Sequence, residues 1–180
     1  MTDAGEFEAF VRRYQDMVFA TAARLVGNLA DAEDIAQTVF LRAFQRFGEI
    51  GPSPAAPGWL KTVTRNACLN HLSRYRARWR FFSELGPDAE DPEATYEAGL
   101  ISDRSLTLDL EQAELHEQLE EAVRGLPDHQ RVPIVLFHFE DMSYQDIAVV
   151  LGVSLGKVKT DIHRGREALR KQLTTTHASR

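Results

Sequence analysis

Residues 141–171, DMSYQDIAVVLGVSLGKVKTDIHRGREALRK, admit few folds. At helical spacing the stretch divides into two short helices around a tight turn. Ser143 can cap the first, with Asp146 three residues on in the acidic slot of a capping box. Ile147, Val150 and Leu151 make an apolar stripe, and Ala148 is small enough for a second helix to cross closely. Gly152 suits a left-handed C-cap, Val153 plugs the corner, and Ser154 can cap the next helix. That helix buries Leu155, Val158, Ile162 and Leu169. It leaves Lys157, Lys159, Thr160, His163, Arg164 and Arg166 on or near its outer face. This is the pattern of a helix-turn-helix with a basic recognition helix, shaped for a DNA major groove. A plain helical hairpin shares the periodicity, but the two caps, the small-residue spacing and the cationic face favour DNA binding.

A net charge of −6 argues against a nucleic-acid partner only on average. From Gly51 to Ser83 there are six Lys/Arg and no acid, whereas Glu84 to Glu121 carries thirteen Asp/Glu against Arg104 alone. From Ser154 to Leu173 six bases face only Asp161 and Glu167. Two basic surfaces separated by an acidic connector say more than the sum. The chain of 180 residues is 43% hydrophobic, enough to bury a core in one domain or two small ones. Its one cysteine, Cys68, excludes an internal disulfide and a multi-cysteine zinc site, and it reads as a small core residue. No apolar run reaches membrane-spanning length and MTDAGEFEAF is unlike a signal peptide, so a cytoplasmic protein without membrane insertion is expected.

Along the chain, Phe7, Phe10, Val11, Tyr14, Val18, Ala22 and Leu25 recur at three- and four-residue steps and predict a helix over 6–26, ended by Gly27-Asn28. Asp31 is expected to cap a second helix running to about Phe47, with Ile35, Val39, Phe40, Ala43, Phe44 and Phe47 inward. GEIGPSPAAPG reads as a Pro/Gly loop without regular structure. A third helix is expected from about Trp59 to Arg80, turning Leu60, Val63, Ala67, Leu69 and Leu72 inward. From Phe81 to about Leu108 the pattern dissolves into Pro, Gly and acids, as in a flexible linker. Helical spacing resumes over 110–123, and Pro127 fits the start of a helix over 128–140 whose periodicity breaks near Pro133. Thr174 to Arg180 read as frayed. The expected fold class is all-α, two small helical domains joined by a flexible acidic linker, the second containing the helix-turn-helix.

Three blocks, DAEDIAQTVFLRAF (31–44), WLKTVTRNACLNHLSRYR (59–76) and MSYQDIAVVLGVSLGKVKTDIHRGREALR (142–170), together resemble an extracytoplasmic-function (ECF) sigma factor of the bacterial sigma-70 family. The resemblance covers nearly the whole chain except the linker and the extreme ends. It implies sigma domain 2 over 1–80, a linker over 81–109 and sigma domain 4 over 110–180.

On the residues alone, the acidic start of the second helix fits a solvated helix N-terminus. The resemblance implies instead that this helix binds core RNA polymerase at the clamp helices of the largest subunit, through Asp31, Glu33, Asp34, Gln37 and Phe40. The second block carries bases for phosphates, asparagines for base edges and an aromatic that can support an unstacked base, although Trp59 also fits a core position. The resemblance implies promoter −10 binding there by Trp59, Lys61, Arg65, Asn66, Asn70, Arg74 and Arg76. It implies −35 binding by Ser154, Lys157, Lys159, Thr160, His163, Arg164 and Arg166, with Lys157 and Arg166 on phosphates. The polymerase flap region and an anti-sigma factor complete the implied partners. Two departures stand out: three prolines in the loop over 50–58, and Phe137 where many members have an arginine.

A stand-alone regulator would give the DAEDIAQ helix and the second basic block no role. An enzyme is disfavoured by the lack of a phosphate loop, HExxH, GxSxG or Cys/His cluster. The six histidines lie scattered, so no catalytic residue, metal or cofactor is expected.

Overall fold

The computed structural model describes residues 4–73 and 110–178, and every regular element among them is helical, in agreement with the all-α expectation. In chain order these are α1 (Ala4–Val26), α2 (Leu29–Gln45), α3 (Phe47–Ile50), α4 (Ala56–His71), α5 (Leu110–Arg124), α6 (Asp128–His138), α7 (Tyr144–Leu151) and α8 (Leu155–Ala178). The expected linker over 81–109 and the arginines Arg74, Arg76, Arg78 and Arg80 lie outside the described residues.

In the N-terminal half, α1, α2 and α4 close around Val18, Ala22, Leu25, Ala32, Val39, Leu60 and Cys68, all buried. Phe7 and Phe10 meet Phe47 edge-on at 5.2 and 5.4 Å, which seats α3 against the start of α1. Cys68 is the core residue its setting suggested: burial, with Glu140 nearby, pushes its thiol up to about 12.

Two boundaries differ from the sequence reading. Asn28, not Asp31, caps α2: its Oδ1 accepts the Asp31 N–H at 3.1 Å, and Asp31 lies within the first turn. Gly27, at φ 73°, reverses the chain so tightly that the cap follows at the next residue. The Pro/Gly loop is also shorter than expected. Its first part is the helical turn Phe47–Ile50, and α4 begins at Ala56 with Pro57 in its first turn, where the missing N–H has no intrahelical bond to lose. Irregular chain is confined to 51–55, where Ser53 Oγ accepts the Ala55 N–H at 3.2 Å.

In the C-terminal half, α6 runs through Pro133 without a break, burying Val132, Ile134, Val135 and Leu136 around it. Asp141, at φ 54°, turns the chain into α7. Helix α8 crosses α6 at Gly165, where any Cβ would overlap Ile134, so glycine sets the approach. The expected fraying is corrected too. Helix α8 continues to Ala178, and the Thr174 hydroxyl donates back to the Arg170 carbonyl at 2.7 Å.

The two halves pack together. Helix α1 lies against α4 on one side and against α5 and α6 on the other, so its C-terminal end stands between them.

Candidate protein and nucleic-acid interfaces

Helix α2 carries more apolar residues than one core-facing stripe can hold. Ile35, Val39 and Ala43 face inward, while Leu41 is 65% exposed and Phe44 49% exposed. With Ala36, Phe40 and Gln37 of α2, and Phe7, Val11, Gln15 and Phe19 of α1, they line an open groove of about 820 Å³. Glu33 and Asp16 stand at its polar edge. Of the five residues assigned to polymerase binding, the groove gathers Glu33, Gln37 and Phe40. Asp34 is exposed outside it. Asp31 turns toward α4, where its carboxylate lies 3.3 Å from His71 Nε2. Leu41, Phe44, Phe7 and Phe19 went unnoticed as site residues. The signal was available, because Ala36, Phe40, Leu41 and Phe44 widen the apolar arc of α2 beyond the roughly 100° that core packing needs.

The second block divides between two sides of α4. Trp59, Asn66 and Asn70 fall on one stripe at 3.6 residues per turn, with both asparagines exposed and Trp59 half-buried. Lys61 and Arg65 form a separate stripe, continued inward by Cys68. Glu140, just past the end of α6, lies within electrostatic reach of Lys61 and Arg65, of which Lys61 is exposed. Burial raises the Glu140 carboxyl above its usual range, and the opposing Lys61, Arg65 and Arg24 charges only partly offset this. Arg65 Nε and Glu140 Oε1 are both buried and, among the described residues, without hydrogen-bond partners.

The helix-turn-helix has the local chemistry the sequence suggested. Ser143 Oγ accepts the Asp146 N–H and Ser154 Oγ the Lys157 N–H, each at 3.1 Å. Gly152, at φ 67°, is left-handed, and the Val153 N–H reaches back to the Ala148 carbonyl at 3.1 Å. Ile147, Leu151, Val158 and Ile162 join the core beneath.

On α8, His163 and Arg164 are exposed, Lys159 and Thr160 are half-exposed, and Ser154 stands exposed at the N-terminus. Lys157 does not project outward. It folds along the helix to Asp161, 4% exposed, at 2.7 Å. Arg166 likewise lies inward: its Nε donates to His138 Nε2 at 3.2 Å, and its guanidinium sits 5.6 Å from the Phe137 ring centre. The Phe137 ring in turn meets Tyr144 at a tilt of 40°, with centres 4.6 Å apart. Burial and the Arg166 charge hold the His138 imidazole below its ordinary range, so it is neutral and can accept that bond. Among the described residues no cluster of His, Cys, Asp and Glu could hold a metal. No helix among them is long and apolar enough to cross a membrane.

Against known families, residues 10–79 match sigma-70 region 2 and residues 116–169 match sigma-70 region 4. The ECF RNA polymerase sigma factor SigW of Bacillus subtilis (strain 168) is 31% identical over 172 residues, covering 95% of this chain and 90% of that protein. The chain belongs to the ECF sigma factors. The ECF RNA polymerase sigma factor SigE of Mycolicibacterium smegmatis is 35% identical over 93% of this chain and 61% of its own length. A solved structure of the sigma factor RpoE in complex with the anti-sigma factor NepR, from Bartonella quintana, aligns with a TM-score of 0.48 at 24% identity, over 93% of this chain and 96% of that one.

As an RNA polymerase sigma factor, the protein carries its groove and its α4 stripes within region 2, and its helix-turn-helix within region 4. Most of the acidic stretch falls between the two matches.

Proposed function

We propose that this sigma factor docks on core RNA polymerase through the α1/α2 groove and directs it to promoters with paired −10 and −35 elements. The observation that carries the reading is the groove itself. An open apolar surface holding Leu41 and Phe44 beside Glu33 and Gln37 sits on the helix where the family resemblance implies contact with the polymerase clamp helices. Exposed large hydrophobics with a polar rim are the ordinary signature of a protein–protein contact.

In this reading domain 2 spans 1–80, the linker 81–109 and domain 4 110–180. Asn66 and Asn70 read the −10 element from the exposed face of α4, with Trp59 supporting an unstacked base and Lys61, Arg65, Arg74 and Arg76 neutralising phosphates. Lys159, Thr160, His163 and Arg164 enter the major groove of the −35 element, with Ser154 at the helix start. Lys157 and Arg166 serve the helix rather than the DNA, since both are engaged within the protein. Domain 4 also meets the polymerase flap region. Holding two DNA sites on one chain gives bivalency, with core binding fixing their spacing. The factor acts in the cytoplasm, catalyses no step itself and is restrained by an anti-sigma factor; these assignments rest on the family resemblance.

In vitro transcription with purified bacterial core polymerase and a pool of promoter fragments tests the proposal. New start sites that depend on the protein, with common upstream elements, are the expected result. Failure to bind a competent core overturns it.

A further inference from the structure

Arg166 is turned off the exposed face of α8 by two residues of α6. Its Nε donates to His138 Nε2 at 3.2 Å, and its guanidinium lies 5.6 Å from the ring centre of Phe137. Phe137 and His138 meet edge-on at 4.9 Å, so the two rings make one corner around the cation. The residue at position 137 permits this. An arginine there, as many members of the family have, would set a second guanidinium beside Arg166, whereas the phenylalanine offers a ring face.

The bond to His138 exists in one protonation state. A guanidinium carries donors and no acceptor, so His138 Nε2 must present its lone pair. A neutral imidazole does so. An imidazolium, protonated on both nitrogens, cannot, and it would place a second positive charge 3.2 Å from the first. Helix α6 packs against α1, α7 and α8. From α8, the charge acting on His138 is that of Arg166, while Glu167 lies 3.5 Å from His163 on the outer side. From α7, Tyr144 meets Phe137. From α1, Arg24 pairs with Glu120 of α5 and lies over Phe139, and Glu140 beyond it feels Lys61, Arg65, Arg24 and Asp141. Burial, with the Arg166 charge, therefore keeps His138 neutral at pH 7.

We propose that His138 is a proton-operated gate on Arg166: neutral, it keeps the guanidinium on the protein; protonated, it releases Arg166 to take a phosphate of the −35 duplex. The inference rests on the reading of α8 as the −35 surface and adds a contact that the neutral protein withholds. Arg166 stands about two turns beyond Lys159 and so on the same side of the helix. Rotation of its own side chain, without a backbone shift, carries the guanidinium from the α6 corner toward the Lys159 flank. A phosphate contact of this kind carries no sequence information, so its signature is the salt dependence of binding.

The test uses the full chain and a short random-sequence duplex, with binding followed by anisotropy over a range of low salt at pH 7.5 and pH 5. One added phosphate contact steepens the slope of log K against log salt by about 0.9. On going to pH 5 the parent should steepen by that much more than H138Q, since glutamine keeps an acceptor and does not titrate. His163 is exposed and titrates in both proteins, so it cancels in the comparison. H138A, which has no acceptor, should show the steeper slope already at pH 7.5, and H138A/R166A should lose it; the H138Q comparison stands even where H138A fails to fold. An H138Q protein that steepens as the parent does overturns the gate. So does a steepening that survives in R166A, because the contact then belongs to another group. R164A separates the two readings: it should make the slope shallower at both pH values. If it leaves the slope unchanged, or if the parent binds no duplex in the lowest salt, the reading of α8 as a DNA surface fails; a shallower slope in R164A with no effect of the His138 variants sinks the gate alone.

Discussion

Arg131 Nη2 lies 3.1 Å from the carbonyl oxygen of Val26, a contact between residues 105 apart that caps a region 2 helix with a region 4 side chain. The charge is buried and held by three carbonyls and one carboxylate. R131M removes every donor at once. It leaves Leu25 and Val26 without their partner and Asp128 without its counter-charge. Each buried carbonyl left without its donor costs about 1–3 kcal/mol, whereas Asp128, 32% exposed, is partly reached by water and adds little, so the unfolding free energy should drop by at least that much. Urea denaturation measures it. R131K, able to reach fewer of these oxygens, should fall between; an R131M protein with the parent's midpoint would remove the capping account.

What the sequence could not disclose follows from the same contact. The helix-turn-helix is written in neighbouring residues, Ser143, Gly152 and Ser154, whose caps depend on no more than four positions of chain, and each forms as read. Arg131 has no such local signature, because its carbonyls come from the far half. The inward turn of Lys157 was legible: Asp161 lies one helical turn on, at the spacing that pairs opposite charges. The groove on α2 was partly legible. The resemblance places Phe40 at the polymerase contact, whereas helical spacing alone puts Phe44 in the core, because a period does not say how wide the buried arc is.

The groove makes a sharp prediction about α2. Leu41 is largely in solvent, so L41D should leave thermal stability nearly unchanged, within about 0.5 kcal/mol of the parent, whereas Phe44 is half-buried against Phe7 at 5.0 Å and F44D should cost about 1 kcal/mol more. Both should abolish co-elution with core polymerase on gel filtration, since a charge placed in the centre of an apolar contact is desolvated without a partner. Q37A, at the polar part of the groove, should weaken binding less than either. If F44D still forms the complex, the docking surface is elsewhere.

His129 and His138 give region 4 a defined response to acid. Burial lowers both imidazoles below their ordinary 6.5, and the Arg166 charge adds to the effect at His138. Around pH 6 the unfolded chain therefore binds more protons than the folded one, so stability rises with pH. The contribution is fully present above 6.5 and is lost as the pH falls from there through the lower folded values. Protonated His138 also loses the lone pair that accepts from Arg166. Urea midpoints taken between pH 7.5 and 5 should fall with acidification, and H138Q, which keeps an acceptor but does not titrate, should flatten the slope. An unchanged slope in H138Q/H129Q would assign the pH dependence to other groups.

Two cations three and ten residues into α8 separate structure from recognition. Arg164 is exposed on the outer face, whereas Lys157 is tied to buried Asp161 at 2.7 Å. R164A should leave the melting temperature alone and weaken binding to −35 promoter duplex, by about 1–3 kcal/mol and selectively by sequence if the guanidinium reads a base. An equal loss on every duplex, with a shallower dependence on salt, would make it a phosphate contact instead. K157A should do the reverse. It strands Asp161 in the core, so it should lower stability while changing DNA affinity only in proportion to the unfolded fraction. K157A/D161A, which removes both charges, should recover much of that loss, because the cost lies in the unpaired buried carboxylate rather than in the missing lysine. A K157A protein that melts like the parent yet loses DNA binding would place Lys157 on the DNA after all.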